Sequence, residues 1–124
     1  MSSATIALIE DDKILSDALY SGLKDAGFLV ERAFDGEEGL AMVIAKKPAL
    51  VLLDILMPKM DGITVAKKLK ADPETKNIPI IILTALDKVT PVADAVEAGV
   101  YEYIIKSDYK VEDIVKIVQE KLNG

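Results

Sequence analysis

Ala49-Leu50-Val51-Leu52-Leu53-Asp54 is an unbroken apolar run that stops on a carboxylate. A strand with one face in water alternates apolar and polar residues, whereas a strand covered on both faces needs no polar interruption. The run therefore reads as the central strand of a parallel sheet. Outward from it, shorter apolar segments recur at residues 5–9, 28–33, 79–83 and 100–105. Pro79 can open the fourth of these strands because a first position need not donate to the ladder.

Helical patterns fill the intervals. Ile14, Leu15, Ala18, Leu19 and Leu23 recur at helical spacing over residues 13–26, and Gly27 follows where a helix takes a left-handed terminal residue. Asp35-Gly36-Glu37-Glu38 resembles a capping box at the head of a helix that runs through Ala45 and stops before Pro48. Asp61 can cap a helix ending at Ala71, followed by the turn-rich Asp72-Pro73-Glu74-Thr75-Lys76-Asn77. A weaker helix spans residues 87–98, with its start blurred at Thr90-Pro91 and its end at Gly99. Val111, Ile114, Val115, Val118 and Leu122 mark a last amphipathic helix. Five strands alternating with five helices specify an α/β fold, since each crossover helix must cover a sheet face.

The 124 residues suit one domain over 1–124 with a self-sufficient core. A net charge of -6 without a Lys/Arg patch argues against direct nucleic-acid binding. With no cysteine and no histidine, thiol chemistry, zinc-type ligand sets and histidine acid/base catalysis are excluded. No signal-type leader or membrane-length apolar run is present, so a cytoplasmic protein is expected.

Parallel α/β sheets bind ligands beyond the carboxyl ends of their strands, where strand order reverses. At those ends stand Glu10, Asp11 and Asp12, then Asp54, Thr84 and Lys106. Taken singly, the acids would be a solvated helix start or a turn, Thr84 a strand-end hydroxyl and Lys106 a surface charge. Four such ends carrying chemistry together are not independent accidents. Adjacent strands lie about 4.8 Å apart, so carboxylates on the first and third strands would repel unless a cation joined them. Mg²⁺, which takes oxygen ligands and commonly shares carboxylates with phosphate, suits such a seat. Lys106 and Thr84 offer a cation and a hydroxyl to a phosphoryl group, and Asp54 is placed as the nucleophile.

These residues resemble the receiver domain of two-component response regulators, over nearly the whole chain. Leu8-Ile9-Glu10-Asp11-Asp12 is similar to the family's acidic pair, and Leu52-Leu53-Asp54-Ile55-Leu56-Met57-Pro58 with Asp61-Gly62 is similar to its phosphoacceptor motif. Leu83-Thr84-Ala85, Ala98-Gly99 and Lys106 fall at the family's spacings. The resemblance implies a flavodoxin-like, doubly wound sheet of order 2-1-3-4-5. It also implies a phosphorylation-dependent switch: Asp54 accepts a phosphoryl group from a histidine kinase or phosphotransfer protein, with Mg²⁺ required. Asp11 and the Leu56 carbonyl would be direct ligands beside Asp54, Glu10 a water-mediated one, and Asp12 a helix start. Thr84 and Tyr103 match the switch pair that reshapes the face of the fourth helix, fifth strand and fifth helix toward a protein target, with Tyr101 extending that face. Such a protein is no enzyme beyond self-phosphorylation from small donors and self-dephosphorylation. The expected state is a monomer, with dimerisation open on phosphorylation.

Lys106 is followed by Ser107-Asp108, where the family usually has proline, often after a cis bond. A non-proline cis bond costs about 2.5–4 kcal/mol, so a trans bond and a different loop are expected, with Ser107 or Asp108 able to cap the last helix. Leu56 and Leu86, two residues beyond Asp54 and Thr84, are apolar where the family's side chains govern access of hydrolytic water, which points to slow self-dephosphorylation. A haloacid-dehalogenase-type phosphatase would need a second Asp where Leu56 stands. A flavodoxin would want a hydroxyl-rich phosphate loop in place of the three acids. The remaining alternative is a receiver-like binding module that acts without phosphorylation. With the chain ending at Asn123-Gly124, no output domain is expected, in a stand-alone regulator or an excised piece.

Overall fold

Side-chain alternation along the strands sorts the core into two layers. Ile6, Leu8, Leu50, Leu52, Ile81 and Leu83 point to one face, while Ala7, Ile9, Val51, Leu53, Ile80 and Ile82 point to the other. In the computed structural model, which describes residues 4–84 and 102–123, the strands form one parallel sheet in the order β2-β1-β3-β4-β5. They are β1 Thr5–Ile9, β2 Leu29–Ala33, β3 Leu50–Asp54, β4 Ile80–Thr84 and β5 Glu102–Ile105. The described helices are α1 Lys13–Asp25, α2 Gly36–Lys46, α3 Gly62–Ala71 and α4 Val111–Asn123. Here α4 is the last helix of the chain, the fifth of the sequence reading. The helix expected at 87–98, Gly99, Leu86 and Tyr101 lie outside the described residues.

Helices α1 and α4 cover the Leu8 face through Leu19, Leu23, Ile114 and Val118, and α2 and α3 cover the Ile9 face through Val43, Val65 and Leu69. Every residue of β3 is buried, as its unbroken apolar run requires. Leu52 has no exposed surface, so Leu52→Ala would cost about 2–5 kcal/mol through lost burial and the cavity left behind.

The helix starts are built from the predicted aspartates. Asp12 Oδ1 accepts from the Ile14 and Leu15 amides at 3.0 and 3.4 Å, Asp35 Oδ1 from Glu38 at 2.7 Å, and Asp61 Oδ1 from Thr64 at 2.9 Å. The return bond of the capping box differs from expectation, because Glu38 Oε1 accepts from the Phe34 amide, one residue before the cap. Gly27 has φ 98°, the left-handed geometry that ends α1 and turns the chain into β2.

After β5 the chain forms a short 3₁₀ turn, Lys106–Asp108. Neither Ser107 nor Asp108 caps α4, since Tyr109 and Lys110 intervene and Asp113 Oδ2 accepts from the Lys110 amide at 2.9 Å. No cis peptide bond occurs among the described residues, in line with the serine after Lys106. The order reverses between β1 and β3, so their carboxyl ends frame the crevice that such sheets offer to ligands.

Candidate functional site

β1 leaves the sheet at Glu10, whose amide still donates to the Ala33 carbonyl of β2 at 3.1 Å. Glu10 is wholly buried, Asp11 is exposed, and Asp12 is exposed and occupied as the α1 cap. The Asp12 amide donates to Glu10 Oε2 at 3.1 Å, so a neighbouring backbone group holds one oxygen of the buried acid. One strand over, Asp54 ends β3 and is 5% exposed. Its Oδ1 accepts from the Ile55 amide at 2.8 Å. Gly62 opens α3 against this strand end; a Cβ there would lie 2.0 Å from the Asp54 carbonyl oxygen, a distance no backbone contact tolerates.

Lys106 reaches the acids from the end of β5. Its Nζ lies 2.7 Å from Glu10 Oε1 and 3.3 Å from Asp54 Oδ2. The shorter contact pairs the charges at a poor angle, and Glu10 Oε1 is left without an aligned hydrogen-bond donor. Thr84, at the end of β4, is 1% exposed and stands opposite Ile105, one residue before Lys106. Tyr103 stands opposite Ile82 on β5 and is 43% exposed, and Leu56 is 58% exposed beside the site.

Burial is the largest influence on Asp54, followed by the hydrogen bond and the charge of Glu10; together they outweigh Lys106, and the carboxyl is raised to about 8. Burial acts to lower the Lys106 ammonium, but Glu10 and Asp54 prevail and raise it. The site thus holds a cation that keeps its charge beside a carboxyl that resists ionising. Ligand oxygens of Glu10, Asp11 and Asp54 lie within 4.8 Å of one another, close enough for one oxygen-seeking cation to be shared directly or through water. Such a cation would add a second positive charge beside Lys106, against the three carboxylates.

Glu10, Asp11, Asp54, Thr84 and Lys106 therefore stand at neighbouring strand ends, while Tyr103 lies farther down β5 and Asp12 is turned to the helix. The groups missed from sequence are the backbone donors and acceptors of Asp12, Ala33 and Ile55. Amides and carbonyls are common to every residue, so no residue type could have signalled them.

A doubly wound parallel sheet with an acidic cluster, a hydroxyl and a lysine at its carboxyl edge defines the class. Residues 6–119 match the model of the response regulator receiver domain. Over 117 residues the chain is 35% identical to RpaA of Synechocystis sp., a DNA-binding dual master transcriptional regulator, covering 94% of this chain and 48% of that one. It is 38% identical over 104 residues to the response regulator PleD of Caulobacter vibrioides, covering 84% of this chain and 23% of that one. A CheY-like receiver domain protein from Methanospirillum hungatei superposes with a TM-score of 0.90 at 27% identity, covering 98% of this chain and 95% of that one. The chain belongs to the response regulator receiver domain family, and it spans half or less of the length of these two curated relatives. No described helix is long and apolar enough to cross a membrane.

Proposed function

We propose that this domain is a phosphorylation-dependent switch in which Asp54 accepts a phosphoryl group from the phosphohistidine of a histidine kinase or phosphotransfer protein. The observation that carries this reading is Asp54 itself, a buried carboxyl at the crevice between β1 and β3 with Lys106 at 3.3 Å and two further acids within ligand distance. In the transfer, Asp54 Oδ2 forms a bond to phosphorus as the donor's P–N bond breaks, and the electron pair stays on the donor imidazole. Ile55 holds the other carboxylate oxygen through its amide, so the nucleophile is oriented before the donor arrives.

Mg²⁺ is the cation this donor set fits: Asp11, Asp54 and the Leu56 carbonyl would hold it, with Glu10 acting through water, and it would supply positive charge toward the acids and the incoming phosphoryl group. Lys106 is close enough to Asp54 to follow the charge onto the phosphoryl oxygens, and it exchanges a contact with Asp54 for one with the transferred group. The Thr84 hydroxyl moves toward the same oxygens. As it moves, Tyr103 turns from its half-exposed position, and the β5 and α4 surface presented to the target changes.

Incubation with Mg²⁺ and acetyl phosphate, followed by intact mass measurement, tests the proposal. One added phosphoryl, abolished by Asp54→Ala, is expected. No gain with either acetyl phosphate or a kinase would leave a protein-binding module that works unphosphorylated. The exposed Leu56 offers the hydrolytic water no polar partner, so the phosphoryl is long-lived. A lifetime much shorter than that of a variant with polar residues at both Leu56 and Leu86 would contradict this.

A further inference from the structure

Besides Lys106, two backbone groups hold Glu10. Its amide is bound by the Ala33 carbonyl at the end of β2, and its carboxylate by the Asp12 amide at the start of α1. The separation between the end of β2 and the start of α1 therefore sets where Glu10 lies. Among the described residues, the side chain that joins β2 to α1 by hydrogen bonds is Arg32, next to Ala33. It is the single arginine of the chain, all other basic residues being lysines. Its Nη1 lies 2.6 Å from Asp17 Oδ1 and 3.4 Å from the buried Ser16 hydroxyl. The guanidinium carbon stands 4.3 Å above the Tyr20 ring and 5.6 Å from the Phe34 ring. A lysine could supply the charge but not the plane that stacks on the Tyr20 ring.

We propose that Arg32 is a positioning residue for the cation site, clamping the first turns of α1 to the end of β2 so that Glu10 and Asp11 are presented at fixed spacing. The inference rests on the proposed Mg²⁺ site. Asp17 is 70% exposed, and a pair this open contributes little to global stability. Its effect is local: without the clamp, the acids lose their preorganisation.

Charge and position act in opposite directions here, and this makes the proposal testable. Removing a cation from the neighbourhood of an acidic site tightens Mg²⁺ binding if electrostatics alone operate. Loosening the site weakens it. Calorimetric titration of the whole chain with MgCl₂ should show Arg32→Met binding weaker by about threefold to tenfold, below the loss typical of groups bonded directly to a metal ligand. Arg32→Lys, which keeps the charge, should fall between Arg32→Met and the unsubstituted chain. Tyr20→Leu, which removes the ring under the guanidinium and changes no charge, should weaken binding in the same direction by a smaller factor, and it carries the test should Arg32→Met not fold.

Melting without metal separates this from a structural role, because uniform destabilisation lowers the melting temperature without altering affinity while the native state remains populated. Unchanged or tighter Mg²⁺ binding by Arg32→Met and Tyr20→Leu would overturn the proposal and leave the proposed function intact. Failure of the unsubstituted chain to bind Mg²⁺ would overturn both.

Discussion

Two acidic runs follow two neighbouring strands, Glu10-Asp11-Asp12 after β1 and Asp35-Gly36-Glu37-Glu38 after β2. Each begins a helix, and each contributes an aspartate cap. They differ in what stands beside them. β2 is the sheet edge, and its run is held by amides, Glu38 N–H on Asp35 and Phe34 N–H on Glu38, with the exposed Lys59 ammonium 3.8 Å from Asp35. β1 is flanked by β3, which delivers a third carboxylate, while Lys106 arrives from β5. Similar acids give capping alone at the edge and, at the centre, a cap beside a buried Glu10 that meets Asp54 and Lys106. Position in the sheet, more than residue type, separates a helix start from a site.

The comparison breaks most sharply at Asp54. Asp54→Ala is expected to abolish phosphoryl incorporation from acetyl phosphate, whereas Glu37→Gln in the edge run should leave it unchanged within about twofold, by the near-neutrality of exposed surface substitutions. Intact mass after timed incubation reads both.

A second effect is pH dependence, confined to the central run. The ordinary Asp54 value is 3.8 and the folded value is about 8, so between these the folded chain retains a proton that the unfolded chain has released. Stability of the metal-free protein therefore falls as pH rises from about 4 through about 8, by no more than about 1.4 kcal/mol per pH unit from this group. Lys106, also raised, acts in the same sense at more alkaline pH. Urea denaturation at intervals from pH 5 to 9 should show this decline, and Asp54→Asn should flatten it. Because a cation must displace the Asp54 proton, MgCl₂ should raise the melting temperature more at pH 8 than at pH 6. Equal shifts at the two values would contradict the assignment.

Smaller changes sharpen the contrast from the edge. Asp35→Ala removes a cap worth about 1 kcal/mol, seen as a lower urea midpoint, with Mg²⁺ affinity retained. The smallest effect is expected at Asp12→Asn, where asparagine caps about as well as aspartate and the Glu10 contact is made by the backbone amide, so stability should shift by less than about 0.5 kcal/mol. A large loss of Mg²⁺ affinity in Asp12→Asn would mean that the third acid belongs to the metal site after all.

The strand ends were legible because the apolar runs stop there. Asp54 follows four buried residues of β3, and period and length alone marked that strand as central. The caps Asp35 and Asp61 were also legible, since a short polar acceptor before an apolar helical pattern has one local use, and Asp12 as a helix start followed from the family resemblance. Strand order came from the family resemblance, and the sheet pairing bears it out. The pairing of Lys106 with Glu10 as well as Asp54 was not legible. Neither was the hold on Glu10 by Ala33 and Asp12, nor the clamp made by Arg32, which in sequence is one charged residue within a strand.

Local sequence by itself determined where elements begin and end and which acids stand at strand termini, because hydrophobic period, caps and the glycine at position 27 act over a few residues. Only the tertiary structure decided which acid was buried beside Asp54, that Lys106 reached both, and which side chain fastened α1 to β2. Those outcomes depend on desolvation and on charges brought together from β1, β3 and β5, and neither is present until the sheet has formed.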